Sequence, residues 1–345
     1  VWGGDVEWSF NETFRNAFNP KFGWSMGFSY VGKYEGDEDI FTPDMNYKLN
    51  LPNKIAAFDV RTKFRIRNFN ILAEFATKSS DPNADNGYIY RPGTAALLSA
   101  TYSSKGFSAF LQAKRSDNMS FRSKRSMVGV SSFINHMPAF TTTQTYALAA
   151  MYPYATQPDG EWAFQGEIRY TWKRGTAMGG KDGTTLNLNA SHIRGTAESW
   201  FGMTETPYYT DVNVELNKKI NRKWYIGAMA MYQTYNKLVV EGHGDLIRSG
   251  IGVVEAKYAT SKNVQMRAEL QYLYTKQDEG QWVAVLYELS LWRQLVLSGQ
   301  WMYNIGYAHE QTNEHYYTLA VTYTHGAHRV MAGYTKTREG FNCSG

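Results

Sequence analysis

What most constrains this chain is strict two-residue alternation, carried over legs too long for an ordinary soluble strand. From 264 to 275, Val264, Met266, Ala268, Leu270, Tyr272 and Tyr274 alternate with Gln265, Arg267, Glu269, Gln271, Leu273 and Thr275. The same holds for Phe58, Val60, Thr62, Phe64 and Ile66 against Asp59, Arg61, Lys63, Arg65 and Arg67. It recurs for Trp162, Phe164, Gly166, Ile168, Tyr170 and Trp172 against Gln165, Glu167, Arg169, Thr171 and Lys173, and for Val212, Val214 and Leu216 against Asp211, Asn213, Glu215 and Asn217. Alternation at 180° per residue means strands with one apolar face. Soluble strands average about five or six residues. These legs run to roughly ten or more, the reach a tilted strand needs to cross a bilayer. Trp and Tyr gather at the ends of the apolar faces, where interfacial girdles would place them.

The alternation reconciles two facts that otherwise conflict. The 345 residues include 18 Phe, 10 Trp and 25 Tyr, yet mean hydropathy is only −0.48. So many aromatics exclude a disordered chain. No run approaches the ~20 consecutive apolar residues of a spanning helix. A net charge of +5, without a basic run, gives no nucleic-acid signature. One cysteine, Cys343, excludes an internal disulfide framework and a multi-thiolate zinc site.

Strands are expected at 5–12, 22–34, 54–67, 69–79, 93–103, 105–115, 126–134, 142–152, 161–173, 184–193, 207–218, 222–236, 249–260, 263–275, 281–292, 295–307, 312–324 and 328–338. Tight connections at 68, 104, 219–221, 261–262, 293–294 and 325–327 then share one side, and longer loops at 35–53, 80–92, 116–125, 153–160, 194–206, 237–248, 276–280 and 308–311 share the other. One smooth and one ragged face is the expected signature of an outer-membrane barrel. The expected fold is therefore all-β: a single transmembrane antiparallel up-and-down β-barrel over 1–345, of about 18 or more strands. Strand parity leaves 328–338 without a return strand, so further strands are expected beyond one or both ends.

Several segments resemble an uncharacterised family of Bacteroidetes outer-membrane barrels catalogued as a domain of unknown function. They are DPNADNGYIYRPG at 81–93, KRSDNMSF at 114–121, QTYALAAMYPYATQPDGEW at 144–162, VELNKKINRKW at 214–224, AELQYLYTKQDEGQW at 268–282 and HYYTLAVTYTHGAHRVMAGYTKTREGFNCSG at 315–345. The resemblance implies location in the bacterial outer membrane, extra sequence at both ends, and pairing of Cys343 with a cysteine just beyond Gly345. It implies no activity.

The polar faces carry the candidate functional residues. Arg61, Lys63, Arg65 and Arg67 form a basic stripe, and Glu74, Glu167, Arg169, Asp211, Glu215, Arg267 and Glu269 are expected to line other strands. Inside a channel such charges set solute preference; in a filled lumen they neutralise one another. Asp81, Asn83 and Asp85 resemble the start of a calcium loop, but Pro92 stands where the bidentate Glu belongs, and a polar Asn-Gly turn fits equally. Asp37, Glu38, Asp39 and Asp44 form an acidic loop suited to cations that bridge lipopolysaccharide. HEQTNEH at 309–315 lacks the i, i+4 histidine spacing of catalytic zinc, and no GxSxG elbow is present.

The leading expectation is a non-enzymatic, porin-like channel or facilitator for small hydrophilic solutes, in contact with lipid bilayer and lipopolysaccharide. A second is a scaffold barrel that holds an envelope lipoprotein or another outer-membrane protein through Trp200, Phe201, Leu238, Val239 and Val240. A third is a membrane-embedded hydrolase. No cofactor is expected apart from the calcium candidate.

Overall fold

The computed structural model describes residues 1–14, 21–42, 44–126, 132–306 and 314–338. Sixteen strands follow in chain order: β1 (Trp2–Ser9), β2 (Phe22–Tyr34), β3 (Lys54–Ile66), β4 (Phe69–Lys78), β5 (Gly93–Ser104), β6 (Phe107–Asp117), β7 (Gly160–Trp172), β8 (Thr184–Thr196), β9 (Met203–Lys219), β10 (Trp224–Asn236), β11 (Leu246–Ala259), β12 (Val264–Thr275), β13 (Gln281–Leu291), β14 (Leu295–Gly306), β15 (His315–His325) and β16 (His328–Lys336). They form one sheet in which every strand hydrogen-bonds only its sequence neighbours, always antiparallel. The described residues include no pairing between β1 and β16. A thirteen-residue strand such as β10 is about 43 Å long, and tilted by ~45° it covers about 30 Å, the thickness of a hydrocarbon core.

The side chains are distributed inside out relative to a soluble protein. On β12, Leu270, Tyr272 and Tyr274 are exposed while Glu269, Gln271 and Thr275 are buried; Leu270 is 55 % exposed and its neighbour Gln271 only 1 %. Aromatic pairs crowd both rims of the exposed face. At one rim Trp24 stacks on Phe10 and Phe64, and Trp224 meets Tyr258 at a tilt; at the other, Trp301 stacks on Tyr303. Connections follow the expected two-sided pattern. The six tight ones lie at one end, with Arg67 (φ 52°), Gly106 (φ 82°) and Gly326 (φ 57°) at three of them, and this end also carries the longer connections 10–21 and 173–183. The Trp292–Arg293 turn is left-handed at both residues, which a I′ hairpin requires and non-glycine residues adopt only under strain.

Three expectations are corrected. The first strand spans Trp2–Ser9, not 5–12, and Phe10–Thr13 is a helical turn. No strand stands between β6 and β7, where 126–134 and 142–152 were expected, because the two pair directly from Phe107↔Tyr170 to Asp117↔Gly160. Residues 127–131 of the first lie outside the described residues. In the second, Ala150 N–H donates to Tyr146 O (3.0 Å) in a helical turn, and Leu148 and Ala149 are both buried, which no one-faced strand allows. Among the described residues the sheet thus has 16 strands, against the 18 legs read within the chain, and losing two together leaves the up-down parity intact.

Candidate lumen and its inserted segment

The described residues of the β6–β7 connection, 118–126 and 132–159, do not extend from the end of the sheet but fold against its polar side. The apolar cluster Phe140, Tyr146, Leu148, Met151, Tyr152 and Tyr154 packs on inward-facing wall residues that include Ile193, Tyr209, Met229, Met231, Ile251, Val253, Leu273 and Trp282. Both faces of β10 are therefore apolar: Ala228 and Ala230 point out, and Met229 and Met231 point in under the segment. Polar ties fix the position. Leu148 N–H donates to Gln271 Oε1 (2.9 Å), Gln233 Nε2 donates to Tyr152 O (3.1 Å), and Tyr152 OH donates to Asp278 Oδ2 (3.0 Å).

Ion pairs hold both ends of the segment. Lys114 Nζ, fully buried on β6, lies 2.8 Å from Glu161 Oε1 and donates to Pro138 O (2.6 Å) and Thr156 Oγ1 (2.9 Å). Glu161 also accepts from Gln157 N (2.9 Å) and Tyr154 OH. At the other end, Lys33 Nζ meets Glu35 (3.1 Å) and Asp81 (3.3 Å) and donates to Arg122 O (2.9 Å), while Arg125 Nε lies 3.3 Å from Glu35. None of these lysines was singled out in the sequence. The available signal was a lysine near the loop end of a polar face on β2, β4 and β6, where a solvated channel mouth gives no reason to bury one.

The expected lumen residues fall into three separate groups. On β3, Arg61, Lys63 and Arg65 share the inward face, but the stripe is largely neutralised. Arg61 binds Asp5 (2.6 Å) and Asp59 (3.1 Å) with Glu74 opposite it in register, and Lys63 lies 3.3 Å from Glu7. Gly27 leaves room for this cluster: a Cβ there would stand 2.6 Å from the Arg61 guanidinium carbon. Arg65 has no carboxylate partner among the described residues. Arg67 is a correction, since it sits in the β3–β4 turn rather than on the wall. In the second group, amides surround Asp211: Asn189 and Asn213 donate to it at 3.0 and 2.8 Å, and Gln165 donates to Asn189 at 3.0 Å. Glu167 and Arg169 lie on the inward face of β7 nearby, and Glu215 accepts from Asn187 (3.1 Å) and Asn217 (2.8 Å). The third group centres on Arg267, which joins Glu255 (2.7 Å), Glu288 (2.9 Å) and Glu269, with Lys257 2.9 Å from Glu255.

The DPNADNG carboxylates face cations already in the chain. Asp81 lies between Lys33 and Lys78 (3.8 Å), and Asp85 pairs with Arg122. Asn83 caps a single helical turn by accepting from Asp85 N and Asn86 N, and Gly87 closes it at φ 61°. In the acidic loop, Lys48 Nζ bridges Asp37 and Asp39 at 2.7 Å each, and its donation holds the Asp37 carboxyl below the ordinary value. Among the described residues, no three His, Cys, Asp or Glu side chains converge as a metal site. Residues 307–313, which hold most of HEQTNEH, and Cys343 lie outside the described residues.

The segment seals the β7–β13 side and leaves space on the other. Two cavities succeed one another along β2–β6, and a third lies among the connections beyond them. One of about 500 Å³ near the tight turns is lined by Ser25, Lys63, Arg65, Asn70, Ser99 and Thr101. The next, about 390 Å³, lies between Ser29, Asp59, Arg61 and Glu74 on the wall and Asn135, His136 and Pro138 on the segment. The third, about 610 Å³, shares Asn135 to Pro138 with the second and opens among Ser120, Arg122, Thr156 and Gln157.

The described residues thus form a single up-and-down antiparallel sheet with one apolar exposed face and a chain segment lodged against its polar face. The chain belongs to the family of unknown function DUF6029, whose model matches residues 1–345. No curated protein matches it. Among solved structures it is similar to Pseudomonas aeruginosa OpdK, crystallised with vanillate, at TM-score 0.44 and 13 % identity over 99 % of this chain and 88 % of that one. It is also similar to a mutant Rh. blastica porin at TM-score 0.37 and 11 % identity, over 96 % and 94 %. Scores this low carry no inference about solute.

Proposed function

We propose that the chain is a bacterial outer-membrane channel that passes small hydrophilic solutes by diffusion along an off-axis path between β2–β6 and the inserted segment. The exposed apolar face lies in the bilayer, the tight turns are periplasmic and the long connections face outward. The observation that carries this reading is the asymmetry of the sheet's polar side: cavities edged by Lys63, Arg65, Asp59, Arg61, Glu74 and Arg122 on one part of it, an apolar cluster packed against the wall on the other. Fixed charges of both signs line the path, so it suits polar solutes without sharp anion or cation selectivity.

Planar-bilayer recording tests the proposal. The purified barrel is expected to conduct, and Ala95→Trp, which projects an indole into the middle cavity, is expected to reduce single-channel conductance several-fold. A barrel that never conducts, or an Ala95→Trp variant that conducts as the parent does, defeats the proposal.

A further inference from the structure

The outward face of β5–β9 is not uniformly convex. In the strand register, Ala100, Leu111, Gly166, Ala190 and Val212 form one row across five strands, and Leu98, Ala113, Phe164, His192 and Thr210 form the row above it. Small residues in the middle and protruding Leu98, Leu111 and Val212 around them leave a trough of about 580 Å³. The next row toward the loop end is Arg115, Trp162 and Arg194, whose arginines stand two strands, about 10 Å, apart.

Arg115 and Arg194 stand above the trough, with Arg91 at the same rim. Arg115 stacks on Trp200 and shares Asp117 with Arg91, which is half exposed at the same rim. Arg194 has no carboxylate partner among the described residues. It is aimed by uncharged groups: its Nε donates to His192 Nε2 (2.9 Å), its Nη1 to Thr204 O (3.3 Å), and His192 Nδ1 is 2.8 Å from Thr210 Oγ1. A guanidinium without a carboxylate partner, set beside an apolar trough on an apolar face, complements a ligand with a negative head and a greasy tail.

We propose that this trough is a specific site for a phosphorylated glycolipid of the lipid A type, with one acyl chain lying against Gly166 and Ala190 and a phosphate on Arg194. The site rests on the membrane orientation above, since only then does its cationic end meet the outer leaflet. Anionic phospholipid shares the charge but lacks the rigid saccharide that can reach Arg194 and Arg91 together.

Native mass spectrometry of the detergent-solubilised barrel tests it, with bisphosphorylated lipid A, dephosphorylated lipid A and phosphatidylglycerol as probes. Bisphosphorylated lipid A is expected to stay bound. Arg194→Ala, Ala190→Leu and removal of the phosphates are each expected to weaken retention by roughly tenfold or more. Equal retention by the parent and either variant overturns the site, and phosphatidylglycerol held as firmly as lipid A overturns its assignment to a glycolipid. Conductance recorded on the same preparations keeps the two proposals apart: a barrel that holds lipid A but never conducts removes the channel alone, and one that conducts without holding lipid A removes this site alone.

Discussion

Replacing Lys114 by Met removes an ammonium that touches the β7 wall and two distant points of the inserted segment at once. The substitution roughly conserves volume but deletes donation to Pro138 O and Thr156 Oγ1 and leaves Glu161 buried as an unpaired carboxylate. Breaking one partner of such a pair costs about 3–5 kcal/mol. The sheet has its own backbone ladder, so the loss falls on seating of the segment, and the unseated population is expected to rise about 150- to 5,000-fold. Protease cleavage within 118–159 of the folded, detergent-solubilised barrel reads that population when reclosing is fast. The double variant Lys114→Met with Glu161→Gln is expected to recover part of the loss, because no lone charge then remains. Cleavage of Lys114→Met at the parent's rate would refute the reasoning, since it would mean that the pair is solvated or that the segment is not held by it.

Two further outcomes follow from the same structure. Leu270→Arg puts a charge on the exposed face of β12 and is expected to cost about 2–4 kcal/mol when unfolding is measured from a bilayer; a change within error would show that this face does not meet hydrocarbon. The second concerns Asp278, in the β12–β13 connection: burial pushes its carboxyl up, but donation from Lys237 (2.7 Å) and Tyr152 outweighs it and leaves the group below its ordinary value. A depressed carboxyl contributes stability above its unfolded value and loses it as pH falls through the folded one. Segment seating should therefore weaken on acidification below the ordinary aspartate range, and Asp278→Asn should abolish that step; a step that persists unchanged in the variant would assign it to another group.

Much of the wall was legible because alternation is a local consequence of geometry: a strand with one face in lipid must repeat at two residues. The leg read at 263–275 differs from β12 by one residue at its start, and the leg read at 22–34 coincides with β2. The inserted segment was not legible for the converse reason. Leu148 is greasy because Leu273 and Trp282 cover it from strands far along the chain, and a stretch buried on all sides reads like one more strand. Parity could not expose the error, because it counts strands modulo two. Arg61, Asp211 and Arg267 stand on the face opposite the exposed apolar one. Sequence could not say that Asp5, Asn189 and Glu255 would take up their charges or hydrogen bonds, since each partner lies on another strand.

A sheet whose strands meet only their neighbours is topologically a ribbon, and nothing in its ladder dictates how tightly it curls. The bond from Leu148 to Gln271 spans 123 residues, and those from Arg125 to Glu35 and from Lys33 to Arg122 span 90 and 89. Through them the inserted segment reaches the early and the late strands alike, as a spoke reaches opposite arcs of a rim. It thereby ties stretches of the ribbon that the ladder alone leaves far apart to one common body.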